Sequence, residues 1–205
     1  VDSSDGHLKL SQQQFFIGEG KDVGRQWQIP LNANFKAPKI MSDKEIDLGY
    51  YKNLRSEAGH PLRINVGNNS HFIVKYDKTL LDDILAHVDE LDPIAKLQLL
   101  QDLRLLAEGK QISYAAIVPL LTKFADSKSG VVINALYATA AKLRQFVEPE
   151  SAQEKDLKKL YDKLSAGQVA RLGWKVKPGE SDEDAQIRPY ELSASLYAEN
   201  KDSIK

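Results

Sequence analysis

The spacing of hydrophobic residues changes abruptly near Asp77 in this 205-residue chain. Before that point apolar and polar residues alternate in short runs, which is typical of half-buried strands. From Thr79 onward the apolar residues recur at helical spacing, beginning with Leu80, Leu81 and Ile84. The sequence therefore predicts an α+β protein in which strands come first and helices follow.

The part before the change is predicted to form a small antiparallel β-sandwich spanning residues 1–77. Five or six short strands are expected, and turn-forming clusters such as residues 18–24 and 67–70 separate them. The clearest alternating runs are residues 8–10, 27–31, 62–66 and 72–76.

The part after the change, residues 78–205, is predicted to be an α-helical solenoid-like array of the HEAT or armadillo type. A Thr79–Asp82 capping box is expected to begin the first helix. Asp92 and Pro93 are expected to begin a second helix that ends at Glu108. Later helices are predicted from near Ser113 with a kink at Pro119, over residues 130–147, from a Ser151–Glu154 capping box to a break at Gly167, and from about Glu183.

Composition excludes several classes of partner and chemistry. The net charge is -1, so no field of one sign attracts nucleic acid or an anionic membrane. The chain has no cysteine, which excludes disulfides and thiolate-bound metals and suits a reducing compartment. No apolar run approaches the roughly 18 residues that a membrane span needs. We expect a cytoplasmic protein with neither nucleic-acid nor membrane partners.

No catalytic, cofactor-binding or metal-binding residue is predicted in this sequence. None of the four histidines belongs to an H-E-x-x-H zinc helix. His87 has Asp83 and Glu90 at helical spacing, and these three residues are interpreted as a solvated charged face. No serine lies in a G-x-S-x-G turn, and a cysteine nucleophile is absent. No cofactor is expected in the chain itself.

Several collinear segments resemble the C-terminal half of the aminopeptidase N family, in particular its cytosolic members from lactic acid bacteria. The resemblance covers almost the whole chain, and each of its motifs alone is weak. The segments are Leu8 to Phe15, Trp27-Gln28-Ile29-Pro30-Leu31, Asn65 to Asp77, Leu103 to Gly109 with Ile112-Ser113-Tyr114, and Leu172-Gly173-Trp174 with Gly179-Glu180-Ser181 and Arg188. His71 and Ile73-Val74 depart from the family pattern.

The resemblance implies a non-catalytic portion of a zinc-dependent aminopeptidase. The zinc-binding and amine-binding motifs of such an enzyme are absent here, so the zinc would belong to the parent enzyme. The resemblance further implies a sandwich without its first strand and the N-terminal part of a C-terminal helical domain. These parts are expected to pack on the catalytic domain of the same polypeptide and to limit access to short peptides. Self-association through a truncated helical edge is also expected.

The alternative is a free-standing scaffold without enzymatic activity, whose sandwich and helical array bind a protein or a glycan. The reading frame upstream of Val1 discriminates between the two hypotheses. An H-E-x-x-H motif there supports the aminopeptidase, whereas a stop and start boundary supports the scaffold.

Overall fold

The structure is a computed structural model that describes residues 1–201. It divides into two compact units, Val1–Ser113 and Tyr114–Lys205, and each unit is described by itself. Strands and helices are both present, which confirms the predicted α+β composition. The domain boundary after Asp77 stays a prediction.

The first unit contains the four strands found among the described residues. They are β1 (His7–Ser11), β2 (Ile29–Pro30), β3 (Ile40–Met41) and β4 (Glu45–Tyr50). β1 pairs antiparallel with β4, and β2 pairs antiparallel with β3, so each sheet has two strands. Leu8 packs with Leu62 and Leu80 in one buried cluster, and Leu10 packs with Leu31 and Met41 in another.

Two of the predicted strands are not strands in the structure. Residues 62–66 and 72–76 belong to no strand, and residues 64–66 form a bend and a turn in which Asn65 has a φ of 55°. The backbone of residues 63–66 makes hydrogen bonds with that of residues 31–34, for example from the Asn65 N–H to the Leu31 carbonyl at 2.7 Å. Side chains add further bonds: the Asn65 side-chain amide bonds the backbone of Ser70 in both directions, at 2.8 and 2.9 Å. The Tyr76 hydroxyl accepts from the Ile64 amide at 3.1 Å. Burial of one face produced the alternation, and this burial does not require a neighbouring strand.

Three α-helices and one short 3-10 helix (Val88–Glu90) complete the first unit. The α-helices are α1 (Tyr51–Ala58), α2 (Lys78–Ala86) and α3 (Pro93–Glu108). α1 was not predicted. α2 begins one residue before the predicted capping box, because the Asp77 carboxylate accepts from the Leu80 amide at 2.8 Å and caps the helix. α3 begins and ends as predicted, and Asp92 accepts from the Ala95 amide at 2.7 Å.

Removal of the α3 cap is expected to destabilise the chain by about 1 kcal/mol, because Asp92→Ala leaves a first-turn amide without its acceptor. Urea denaturation measures the difference. Asp89→Ala is the matched control, since Asp89 is exposed and caps no α-helix. If both variants lose the same free energy of unfolding, then the Asp92 hydrogen bond does not stabilise the chain.

The second unit contains α4 (Val118–Phe124), α5 (Gly130–Leu143), α6 (Ala152–Leu172) and α7 (Asp182–Tyr197). α7 packs against both α5 and α6. The apolar side chains that are almost completely buried in this unit include Leu121, Phe124, Ile133, Leu136 and Ile187. No helix in the described part of the chain is long and apolar enough to cross a membrane.

One detail of the helical prediction is wrong and another is not tested. A 3-10 helix (Tyr114–Ile117) runs directly into α4, and Pro119 stands in the first turn of α4, where a missing amide costs nothing. The kink at Pro119 stays a prediction. Gly167 does not break α6, which continues to Leu172. A Cβ atom at position 167 would lie 2.9 Å from a carboxylate oxygen of Asp126, so this glycine permits a close approach. The predicted cap of α6 is confirmed, because Ser151 accepts from the Glu154 amide at 3.0 Å.

Candidate functional site

The histidines lie apart from one another and make local contacts. His7 contacts Asp47 at 2.9 Å, His60 contacts the Asn34 side-chain amide at 3.2 Å, and the His87 Nδ1 donates to the backbone carbonyl of Asp83 at 2.8 Å. No group of three or more histidine, aspartate or glutamate side chains within residues 1–201 could hold a metal ion.

Asp83 belongs to a polar network that joins α1 to α2. Its carboxylate accepts from the Arg55 guanidinium and from the Tyr51 hydroxyl, the latter at 3.1 Å. Burial raises the pKa of Asp83, but the hydrogen bonds from Arg55 and Tyr51 outweigh it and hold this pKa below its ordinary value. The predicted solvated face is thus partly a half-buried connection between helices. Sequence reasoning missed Arg55 because it lies 28 residues from Asp83.

Asp102 is a buried carboxyl on the inner side of α3. It accepts from the backbone amide of Val74 at 3.2 Å and therefore joins α3 to the extended segment before α2. Burial raises its pKa to about 7, although the Val74 amide and the Gln98 side chain oppose this shift. Burial therefore favours the protonated form of this carboxyl, and no positively charged partner among the described residues contributes to its pKa shift.

The first unit also carries an open surface groove of about 470 Å³. Its lining combines a small apolar surface with an exposed lysine and an exposed glutamate on its rim. The lining residues are Ala33, Asn34, Phe35, Lys36, Leu54, Glu57 and Ala58. The groove is open to solvent and its charged groups are exposed. Water therefore stays around any polar contact made with a ligand there and weakens that contact.

A buried ion pair organises the loop between α6 and α7. The Arg188 guanidinium bonds both carboxylate oxygens of Glu180. It also donates to the carbonyl oxygen of Gly173 at 3.1 Å and to that of Leu172 at 3.3 Å. The side chains of Arg188 and Glu180 are only 7% and 6% exposed. One arginine on α7 therefore binds the C-terminal end of α6 and the far end of the connecting loop.

Lys177 adds further bonds within this loop, which comprises residues 173–181. Its backbone amide donates to Glu180 at 2.9 Å, and its ammonium donates to the carbonyl oxygen of Arg171 at 2.7 Å. Trp174 and Val176 lie on the same loop and remain 47% and 71% exposed. The 173–181 loop is thus held by its polar groups and presents its apolar groups to solvent.

Glu191 is a second buried ionisable group of α7. It is 1% exposed, and its Oε2 accepts from the Tyr137 hydroxyl of α5 at 2.7 Å. Its Oε1 has no hydrogen-bond partner among the described residues. Burial raises the pKa of Glu191 to about 8, and the charge of Asp126 adds to this, whereas Tyr137 and Arg171 oppose it. The carboxyl is therefore mainly protonated at neutral pH.

Comparison with known proteins decides the family. The family model of the ERAP1-like C-terminal domain matches residues 62–205, which is more than half of the chain. The chain belongs to the ERAP1-like C-terminal domain family. The predicted resemblance to the aminopeptidase N family is confirmed by the relatives that match this chain.

The relatives of this ERAP1-like C-terminal domain protein are much longer than the chain. Aminopeptidase N of Lactobacillus helveticus is 85% identical over 203 residues, which are 99% of the chain and 24% of the relative. Aminopeptidase N of Lactobacillus delbrueckii subsp. lactis is 69% identical over 201 residues, 98% of the chain and 24% of the relative. Aminopeptidase M1-D of rice is 26% identical over 201 residues, 90% of the chain and 23% of the relative. The chain spans about a quarter of these proteins.

The Arg188–Glu180 ion pair lies within the range that matches the ERAP1-like C-terminal domain. Leu172-Gly173-Trp174, Glu180 and Arg188 also belong to the segments that carried the resemblance in the sequence. The structure brings these separate motifs together, because the Arg188 side chain contacts the backbone of the first motif and the carboxylate of the second. This ion pair therefore holds a surface loop.

Proposed function

We propose that this chain is a non-catalytic portion of a zinc-dependent aminopeptidase that removes N-terminal residues from peptides. The observation that carries the proposal is the 85% identity to aminopeptidase N of Lactobacillus helveticus over 203 residues. Membership of the ERAP1-like C-terminal domain family supports it. The zinc would be bound by residues outside the described part of this chain, in a cytoplasmic parent enzyme.

Within that enzyme, residues 1–77 would form a small β-sandwich domain, and residues 78–205 would contribute to a solenoid-like helical domain. The helical domain would pack on the catalytic domain of the same polypeptide and limit access to short peptides. The well-packed helices α5, α6 and α7 support a scaffolding role, because their buried polar groups bind other groups of the same unit.

The reading frame that encodes this chain tests the proposal. We expect it to encode an H-E-x-x-H motif and a third, glutamate ligand in another part of the same polypeptide. A frame that contains only this chain would contradict the proposal and favour a free-standing scaffold. The access role has its own test: a parent enzyme that hydrolyses long folded polypeptides with the same kcat/KM as dipeptides would contradict it.

The 205-residue chain by itself is expected neither to bind zinc stoichiometrically nor to cleave aminoacyl reporter substrates. Its described residues provide no cluster of ligands and no general base beside one. Metal analysis of the purified chain and a peptidase assay check this expectation. One tightly bound zinc ion per chain, or turnover that a chelator abolishes and that follows the pure protein, would contradict it.

A further inference from the structure

The 173–181 loop combines a rigid frame with exposed apolar side chains. Arg188, Glu180 and Lys177 fix the loop at both ends, as described above. The side chains of Trp174 and Val176 take no part in these hydrogen bonds and are 47% and 71% exposed. The polar frame of the loop therefore leaves a large part of its apolar surface in contact with solvent.

A buried ion pair is an expensive way to stabilise a fold, because two charges must be removed from water. The Arg188–Glu180 pair does give one conformation to an otherwise irregular segment, since its hydrogen bonds reach Leu172, Gly173 and Glu180. A tryptophan on a fixed backbone loses little conformational entropy when it binds a partner. Exposed, pre-organised tryptophans are also frequent energetic centres of protein interfaces.

The charge of the 173–181 loop and the length of the aminopeptidase N relatives indicate what the loop binds. Lys175 lies between the two exposed apolar residues, is itself exposed, and makes no ion pair with residues 1–201 that the structure records. Lys177 is also exposed, and its ammonium bonds only a neutral carbonyl oxygen in the described residues. The loop therefore presents an apolar surface with two positive charges, which fits an apolar pocket with a carboxylate on its rim. The aminopeptidase N relatives are about four times as long as the chain, since the chain covers 24% of their length.

We propose that the 173–181 loop is a docking contact that binds a part of the same aminopeptidase polypeptide outside residues 1–205. Trp174 inserts into an apolar pocket of that part, Val176 extends the apolar contact, and Lys175 faces a carboxylate at the pocket rim. This inference rests on the proposed function, because it requires that the chain be a portion of a longer enzyme.

A cysteine reporter at position 176 tests the docking contact, because the chain has no native cysteine. Val176→Cys is introduced into the 205-residue chain and into the full-length polypeptide, and a small maleimide is applied. Peptide mass spectrometry then measures labelling at this position. We expect labelling in the full-length protein to be slower by on the order of tenfold or more, because the partner surface covers the loop. Addition of Trp174→Ala is expected to restore fast labelling.

Phe146→Ala is the matched control for Trp174→Ala, since Phe146 is an exposed aromatic residue of the same unit with 65% exposure. It is expected to leave the protection of the reporter thiol at position 176 unchanged. Equal labelling in the short and full-length chains would overturn the docking contact while leaving the proposed function intact. A reading frame that encodes no aminopeptidase would instead overturn both the docking contact and the proposed function. Concentration-dependent association of the 205-residue chain that Trp174→Ala abolishes would assign the loop to a second copy and overturn the proposal.

Discussion

Asp102→Asn is expected to stabilise the chain by up to about 4 kcal/mol at pH 8, the largest gain that we expect from a single substitution. Asparagine keeps a side-chain oxygen that can accept from the Val74 amide, as Asp102 does at 3.2 Å. It also removes a carboxylate that is buried without a positively charged partner among the described residues. Chemical denaturation at several pH values measures the gain.

The pH dependence of this gain follows from the pKa of Asp102, which burial raises from 3.8 to about 7 in the folded chain. The folded state holds the proton more tightly than the unfolded state. The favourable contribution of the protonated carboxyl is therefore complete below pH 3.8 and is lost as the pH rises towards 7. Asp102→Asn should remove this decline, so the two proteins should differ little at about pH 4 and most above about pH 7.

Glu90→Gln is the control for the removal of one negative charge, because Glu90 is exposed near the start of α3. It is expected to change the free energy of unfolding by less than about 0.5 kcal/mol. Parallel pH profiles for the wild-type chain and Asp102→Asn would mean that Asp102 titrates alike in the folded and unfolded states. Burial of the Asp102 carboxylate would then not lower the free energy of unfolding.

The helices of this chain could be predicted because their ends are encoded locally. Asp92 and Ser151 lie at the positions that a capping side chain must occupy, and each forms the expected bond with an amide three residues later. α1 was missed for the opposite reason. It follows β4 directly after Tyr50, and no side chain of the described residues caps it, so neither a capping residue nor a turn cluster marks its start.

Strand pairing and buried polar contacts could not be read from the sequence to the same extent. Residues 62–66 alternate as a strand would, but Asn65 and Tyr76 satisfy neighbouring backbone groups through their side chains. Whether an extended segment joins a sheet depends on distant residues that the alternation does not identify. Glu191 likewise meets Tyr137, which is 54 residues away, only because α7 packs on α5.

The motifs at Glu180 and Arg188 indicated the family, but they did not predict the contact between these two side chains. Both residues carried the likeness to the aminopeptidase N family, but a spacing of eight residues across a loop does not specify an ion pair. The structure shows that Arg188 bonds Glu180 and the backbone at Leu172 and Gly173. The motif therefore has a physical meaning, which is to fix the geometry of the 173–181 loop.

Tyr137→Phe is expected to destabilise the chain by about 2 kcal/mol at neutral pH, because the Tyr137 hydroxyl is the only hydrogen-bond donor recorded for the Glu191 carboxyl within residues 1–201. Its loss leaves both oxygens of a side chain that is 1% exposed without a partner in that part of the chain. Thermal and chemical denaturation measure the loss. Tyr50→Phe is the control, since Tyr50 is exposed at the end of β4.

The loss should grow with pH, because burial raises the pKa of Glu191 from 4.5 to about 8. The protonated form dominates in the folded chain below that value, and the carboxylate dominates above it. A hydroxyl donating to a carboxylate contributes more than one donating to a neutral carboxyl, so Tyr137→Phe should cost more at about pH 9 than at about pH 6. The opposing charges near Glu191 are Asp126, which favours protonation, and Arg171, which disfavours it.

A second variant separates the hydrogen bond from the general effect of a changed core. Tyr137→Phe combined with Glu191→Leu removes both polar partners, and such a replacement is often close to neutral because no buried group is left unpaired. The double variant is therefore expected to be more stable than Tyr137→Phe alone and to lose its pH dependence between about pH 6 and 9. If it is less stable than the single variant, then the Glu191 carboxyl has another stabilising partner, and the Tyr137 hydroxyl is not what keeps it in the core.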